Sequence, residues 1–548
     1  MELRNRDFSQ EPVVLEVENL VVALPGGTPV LRDVNFDIRK GETVCLVGES
    51  GSGKSVTSLT AMGLLPKYAL KVESGAIRLD GNDLLKLSPS DMKKIRATRI
   101  SMIFQEPMTA LNPVMRVGEQ ITEVLDIHTG LSVDAKRAKV INIMEQVHLP
   151  DVERIYQSYP HQLSGGQRQR IMIAMALILE PMLLIADEPT TALDVTTQKQ
   201  ILSLIAELQE RHGTAVLFIT HDMGVVAEIA DRVCVMRSGE IVERGRIQPM
   251  LTQPQQQYTK DLLGSVPSLI PRAAREPQGL DPVIQVRNLG MTYQGGSIFN
   301  RKPAVKASRE VTFDLKPGRT LGIVGESGSG KTTVARSIMR LIEPTEGEIV
   351  IDGCDIAHLG KRDMKPFRKK LQVVFQDPFR SLNPRWTIEQ SLTEGPLNYG
   401  VSYEEAVTEA KRLLKIVSLP EDALKRYPHQ FSGGQRQRIA IARAVALRPD
   451  ILVADEAVSA LDVSVQAQVL DLLAELQKDT GIAIIFITHD LRVAAQICDE
   501  VLVMKRGEVV EQGEAAVVLG SPSHDYTRAL IEAAPGRFWD FAAGQPVA

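Results

Sequence analysis

Cysteine is scarce in this sequence: Cys45, Cys234, Cys354 and Cys498 are the only four in 548 residues, and no two stand at CxxC-type spacing. Such scatter argues against a disulfide framework or a thiolate metal site and fits a reducing compartment. Cys45 and Cys234 lie in apolar runs, TVCLV and RVCVM, and are expected inside buried strands. None of the nine histidines forms a ligand cluster. Strong charge of one sign is also lacking. With 63 Lys+Arg against 68 Asp+Glu the net charge is −5, which gives no global reason to expect nucleic acid as a partner. Long hydrophobic runs are missing too. The most apolar stretch, 171–186, is broken by Glu180-Pro181. It reads as a buried helix, a break and a buried strand, short of the roughly 18–20 residues that a membrane span needs. Met1–Pro12 carries no basic, apolar, small-residue leader, so no secretory signal is expected.

What is present is one ordered motif series, twice. The first copy reads GESGSGKS from Gly48, then Gln105, LSGGQ from Leu163, LLIADE ending at Glu188, TALD ending at Asp194, and His221. The second reads GESGSGKT from Gly325, then Gln376, FSGGQ from Phe431, ILVADE ending at Glu456, SALD ending at Asp462, and His489. Ser164 and Ser432, Glu188 and Glu456, His221 and His489 are each separated by 268 residues. A fixed period over several motifs is an internal duplication, so the chain divides into two domains, 13–264 and 283–534. Between them 265–282, with Pro267, Pro271, Pro277 and Gly279, reads as a short linker, and the tail 535–548 as loose. Each half opens on alternating apolar residues, from Val13 and from Val283, expected as edge strands. The polar, helix-rich intervals before Ser164 and before Ser432 read as inserted helical subdomains. Gly295–Pro303 reads as a hairpin excursion.

Each motif carries its own chemistry. Strand, glycine loop and helix in that order make a phosphate cradle, because the glycines let successive N–H groups turn inward at a helix N-terminus. Gly48, Gly51 and Gly53 do this in the first half, with Lys54 supplying charge to the β- and γ-phosphates and Ser55 a hydroxyl for Mg²⁺. Gly325, Gly328, Gly330, Lys331 and Thr332 repeat it. LLIADE and ILVADE deliver two carboxylates at the carboxyl end of a buried strand, where α/β proteins bind ligands. Successive strand residues face opposite ways, so the pair divides its labour. Asp187 and Asp455 are expected to hold Mg²⁺, and Glu188 and Glu456 to act as general bases toward water. Ser164 and Ser432 open helices as caps, and the two glycines after each allow close approach of an anion. His161 and His429, in YPHQ, shape the approach to those helices.

Phosphate loop, Q-loop glutamine, LSGGQ signature, Walker B acid, D-loop and switch histidine in this order resemble the ATP-binding cassette (ABC) family, from about Val13 to about Pro535. That resemblance implies an α/β fold of two tandem P-loop (RecA-like) domains, each with an antiparallel β subdomain and an inserted helical subdomain. It also implies two ATPs held head to tail between cassettes of one chain. The first site would combine Gly48, Glu49, Ser50, Gly51, Ser52, Gly53, Lys54, Ser55, Val56, Gln105, Asp187, Glu188 and His221 with Ser432, Gly433, Gly434 and Gln435. The second would combine Gly325, Glu326, Ser327, Gly328, Ser329, Gly330, Lys331, Thr332, Thr333, Gln376, Asp455, Glu456 and His489 with Ser164, Gly165, Gly166 and Gln167. Gln105 and Gln376 would join the Mg²⁺ sites, and His221 and His489 would meet the γ-phosphates. Tyr293 fits the place of an adenine-stacking aromatic, where the first half has Leu24. The second half departs from the family pattern in Glu456-Ala457-Val458, against Glu188-Pro189-Thr190; the glutamate survives, so hydrolysis is expected at both sites, with room for asymmetry between them. No Asn-Lys-x-Asp guanine reader occurs, which favours ATP over GTP.

Further segments narrow the resemblance. QEPMTALNP and QDPFRSLNP, with PQQQYTKDLLGSVP and PSHDYTRALIEAAP, are similar to the peptide/nickel branch of bacterial ABC importers. The chain looks most like the fused ATPase subunits of dipeptide, oligopeptide or glutathione importers. That implies two permease subunits and an extracytoplasmic solute-binding protein as partners, no nucleic acid, and a peripheral place on the cytoplasmic face of the bacterial inner membrane. Peptides are the expected cargo, with glutathione, nickel chelates and opines as alternatives. A second reading is a soluble twin-cassette translation factor of the ABC-F type. Those carry a long charged helical linker, whereas the linker here is short and proline-rich.

Overall fold

The computed structural model describes residues 6–547 apart from 67, 106, 192, 280, 298–299, 460 and 542. The chain forms two compact units, Met1–Val266 together with Pro535–Ala548, and Pro267–Ala534. In the first unit a six-stranded sheet runs in the order Glu240–Arg246, Arg232–Arg237, Thr43–Val47, Ala215–Thr220, Leu183–Asp187, Ile100–Ile103. All neighbours are parallel except the antiparallel pair at the Glu240–Arg246 edge. Strands TVCLV, LLIAD and AVLFIT are buried along their whole length. Continuous apolar runs of this kind are what a sheet covered on both faces requires. Leu46, Ile185, Leu217 and Cys234 join one core. In the second unit Leu371–Val374, Ile451–Asp455, Ala483–Thr488, Thr320–Val324, Glu500–Lys505 and Glu508–Glu514 repeat the order, around Ile323, Val453, Ile485 and Leu502.

A smaller antiparallel sheet accompanies each. Val13–Ala23 lies between Pro29–Arg39 and Lys71–Leu79, and Ile284–Ser297 lies between Asn300–Leu315 and Glu346–Ile351. These strands are therefore interior, not edges. Alternation of apolar and polar residues reports one buried face, and says nothing about whether one or both margins are paired. The hairpin read at Gly295–Pro303 is paired out to Ser297 with Asn300; its tip, 298–299, lies outside the described residues. Helices Val117–His128, Val133–Gln146 and Val152–Tyr156 precede the signature helix Gly165–Leu177, matching the expected helical insertion; Ile388–Asn398 and Tyr403–Ile416 precede Gly433–Val445. The apolar stretch at 171–186 resolves into the end of one helix, a left-handed Glu180 (φ 53°) and strand Leu183–Asp187. Among the described residues no helix is long and apolar enough to cross a membrane. Cys45, Cys234 and Cys498 are fully buried, and none of the four cysteines is in a disulfide.

The segment read as a linker lies against the second unit. Buried Asp499 accepts hydrogen bonds from Arg272 Nη2 (2.7 Å), from the N–H of Arg275 (2.7 Å) and from the N–H of Thr320 (2.7 Å). In the first unit Asp231 serves Arg6 and the N–H of Thr43 in the same way. What precedes each cassette thus supplies an arginine to one buried aspartate. The tail, expected to be loose, is also packed. Trp539 and Phe541 are buried, and the Gly536 N–H donates to Glu228 Oε1 at 3.1 Å within the first unit.

Candidate active sites

Each glycine loop follows a fully buried strand and opens a helix, Lys54–Ala61 in one unit and Lys331–Ile338 in the other. The left-handed glycines are there for steric reasons. Gly48 has φ 149°, and a Cβ on it would lie 2.2 Å from the Met236 carbonyl oxygen. At Gly325 the same clash, 2.3 Å, is with Met504. Lys54 is buried, and its Nζ donates to the Gly48 and Glu49 carbonyls at 2.7 and 2.9 Å. Lys331 donates to Gly325 and Glu326 at 2.7 and 2.8 Å. The lysine thus curls its own loop into a ring around the place where a phosphate would sit.

Asp187 ends its strand and takes Ser55 Oγ at 3.3 Å and Ser58 Oγ at 3.5 Å. Burial, helped by the Glu188 charge and opposed by Ser55 and Lys54, pushes its carboxyl up to about 6. Asp455 is raised for the same first reason, and its Oδ1 is buried without a hydrogen-bond partner. Asp187 beside the Ser55 hydroxyl, and Asp455 with its unsatisfied Oδ1, are donor sets of the kind a divalent cation takes. Ser58 is a partner that the sequence did not reveal.

Glu188 is outside the strand, and its separation from Asp187 comes from a left-handed backbone (φ 47°; Glu456, 49°) rather than from the pleat. Three side chains converge on it. Gln105 Nε2 donates at 2.9 Å, Thr191 Oγ1 donates at 3.0 Å, and His221 Nδ1 stands 3.1 Å away. Burial works to raise its pKa, but His221, Thr191 and Lys54 together hold it below the usual value. Glu456 receives Gln376 Nε2 at 2.8 Å and has His489 Nδ1 at 3.6 Å. There burial is again outweighed, by His489 and Lys331, and the carboxylate is held low while His489 is raised. Ser459, in the place of Thr191, instead donates to the Glu456 backbone carbonyl at 3.0 Å. The structure therefore places both glutamines and both histidines on the glutamates. Thr191 stands in the sequence only as the first residue of TALD; that its hydroxyl turns back to the acid is set by the loop and not by the motif.

In LSGGQ, Ser164 Oγ accepts from the Gln167 N–H (3.3 Å) while Gln167 Oε1 accepts from the Ser164 N–H (3.0 Å), a reciprocal cap that Ser432 and Gln435 repeat at the same distances. The two glycines differ. A Cβ on Gly166 would meet Thr197 Cγ2 at 2.7 Å, and on Gly434 would meet Val465 Cγ1 at 2.3 Å. Nothing lies within 4 Å of one on Gly433. Before each signature helix Tyr159 stacks on His161 and Tyr427 on His429, at 5.7 and 5.9 Å between ring centres. Tyr293 and Leu24 are both exposed.

A family model described as "ABC transporter" matches residues 31–191 and 308–459. The chain belongs to the ABC transporter family. It is an ATP-binding and ATP-hydrolysing protein of that family, with two cassettes in one polypeptide. A second model, "Oligopeptide/dipeptide transporter, C-terminal region", matches 242–293 and 510–537. The chain is 46% identical over 540 residues to the glutathione import ATP-binding protein GsiA of Salmonella paratyphi A, covering 92% of this chain and 86% of that one. To GsiA of Escherichia coli O157:H7 it is 45% identical over 557 residues, covering 95% and 89%. A dimeric ATP-binding cassette, MJ0796, bound to ADP and phosphate is 33% identical over 42% of this chain and 98% of its own, with a TM-score of 0.39.

Proposed function

We propose that this ABC protein drives uptake of peptides, glutathione included, through two separate permease subunits fed by an extracytoplasmic solute-binding protein. It would stand on the cytoplasmic face of the membrane, held by the permeases. The observation that carries the reading is the oligopeptide/dipeptide region found after both cassettes, together with the GsiA relatives over nearly the whole chain. The ABC-F alternative is not favoured. Nothing in the short segment 265–282 resembles a long charged helix.

Hydrolysis would proceed at two composite sites. Lys54 and the loop N–H groups would take the β- and γ-phosphates of one ATP, and the Ser432–Gln435 helix start would close over it; Lys331 and Ser164–Gln167 would do the same for the other. The open face of Gly433 supports this closing role. Ser55 with Asp187, and Thr332 with Asp455, would hold Mg²⁺, which neutralises phosphate charge as it develops. Glu188 and Glu456, ionised and oriented by glutamine and histidine, would each accept a proton from the attacking water. Because a nucleotide so enclosed favours the closed state, its cleavage removes that preference and returns the permeases to their resting form.

The test uses the chain reconstituted with its permeases. Loaded binding protein should stimulate ATP turnover. Glu188→Gln with Glu456→Gln should abolish turnover while ATP still binds. Full turnover in that double variant would sink the assignment of the bases, and stimulation by no peptide-loaded binding protein would sink the cargo.

A further inference from the structure

The segments QQQYTKDLLG and SHDYTRALIE, which follow the two cassettes, have no part in the chemistry above. Over these aligned stretches the two copies keep only the tyrosine, the following threonine and one leucine (Leu262 and Leu530). Both tyrosines reach a glycine loop. The Glu49 N–H donates to Tyr258 Oη at 3.2 Å, and the Glu326 N–H donates to Tyr526 Oη at 3.3 Å. We propose that Tyr258 and Tyr526 are positioning residues for nucleotide, each anchoring the first peptide of its glycine loop so that the phosphate cradle is set before phosphate arrives.

Each anchor is itself braced. The Tyr258 ring lies under the Arg237 guanidinium, 4.9 Å away, and the Tyr526 ring under the Lys505 ammonium, 4.5 Å away. Arg237 and Lys505 end the strands that pair directly with the strand leading into each loop. The start of the tyrosine-bearing helix is fixed by one acid on the next strand. Glu243 accepts from the N–H groups of Gln255 (2.7 Å) and Gln256 (3.1 Å), and Glu511 from those of Ser523 (2.7 Å) and His524 (3.2 Å). Acid, cation and tyrosine recur at the same 268-residue offset as the catalytic motifs.

The peptide at Glu49 is gripped at both ends, by Tyr258 on its N–H side and by Lys54 on the following carbonyl. Lys54 gives two of its three ammonium hydrogens to the Gly48 and Glu49 carbonyls; where it turns toward a phosphate, Tyr258 is the side chain that keeps the loop from relaxing. Preorganisation of this kind is felt as affinity, because the ordering has been done before binding. The peptide region that follows each cassette would thereby be tied to the nucleotide site.

The inference rests on the reading of both glycine loops as phosphate cradles, and the test separates the two. In the full chain, Tyr258→Phe with Tyr526→Phe removes the hydroxyls and keeps the rings. ADP and ATP affinities should both fall, by about three- to tenfold, as the loss of one hydrogen bond per site implies. KM for ATP should rise with them, while kcat stays within about twofold and the nucleotide-free melting temperature does not move. Lys54→Ala with Lys331→Ala is the control, and should abolish binding. If the lysine variant fails to bind and the phenylalanine variant binds normally, the tyrosine proposal alone is overturned. If the lysine variant binds normally, the cradle reading fails first. A fall in affinity matched by a lower nucleotide-free melting temperature would overturn the proposal as well, by marking the hydroxyls as structural.

Discussion

At Glu188 an amide, a hydroxyl and an imidazole share one carboxylate, whereas Glu456 has the amide and a more distant imidazole, its neighbouring hydroxyl being turned to the backbone. The two sites thus differ at Thr191 and Ser459, beside the Ala457-Val458 departure visible in the sequence. In a Glu456→Gln background, where only the first site can turn over, Thr191→Val should slow ATPase by about three- to tenfold, one hydrogen bond's worth. An unchanged rate would show that the hydroxyl is idle. The Glu456–His489 pair also predicts a pH dependence. A lowered glutamate stabilises the fold above its unfolded value near 4.5, and a raised histidine does so below its unfolded value near 6.5. The stability lost in His489→Gln, read by urea unfolding, should be largest between those values and shrink as pH rises past the histidine's raised pKa. Thiol chemistry gives a simpler check. Burial pushes the Cys234 thiol up to about 12 and raises that of Cys498, and Cys45 is fully buried. Native labelling by a thiol reagent should reach Cys354 alone, and stay at one equivalent between pH 7 and 9.

Elements tell how far the sequence could be read. Buried strands, loop lysines and helix caps are local: TVCLV, GSGKS and SGGQ each contain the residues that decide them, so their structures match the expectation. Contacts made in three dimensions were not legible. Whether Val13–Ala23 is interior depends on Lys71–Leu79 arriving on its far side, and the turn at Glu188 depends on a left-handed backbone that no motif announces. The signature glycines show the same limit. Sequence gave both one role, approach to an anion, but Gly434 is small because Val465 packs on it, while Gly433 faces open space. Gly434→Ala should therefore cost about 1–3 kcal/mol of stability through overpacking. Gly433→Ala should leave thermal melting unchanged and cut turnover, since its methyl would stand where the nucleotide of the other cassette is proposed to come. Equal melting temperatures for the two variants would contradict this division.

For the whole molecule, duplication gave two units, but not the return of the chain to the first. Residues after Pro535 bury Trp539 and Phe541 there, and the Pro535 carbonyl lies so near Gly224 that an added Cβ would be 2.6 Å from it. Gly224 lies in the first turn of the helix Met223–Ile229, so the tail abuts the element that directly follows His221. Trp539→Ala should destabilise the first unit by about 3–5 kcal/mol, the usual loss for a buried indole. Differential scanning calorimetry should then show one transition moved down and the other unmoved.

That return dictates an order of assembly. During synthesis the leading cassette emerges hundreds of residues before the strip that finishes it, so it must wait, incompletely covered, while its twin is made. Dividing the gene after Val266 would strand the amino-terminal product in this unfinished condition, and a peptide spanning 535–548, added in trans, is what should rescue it.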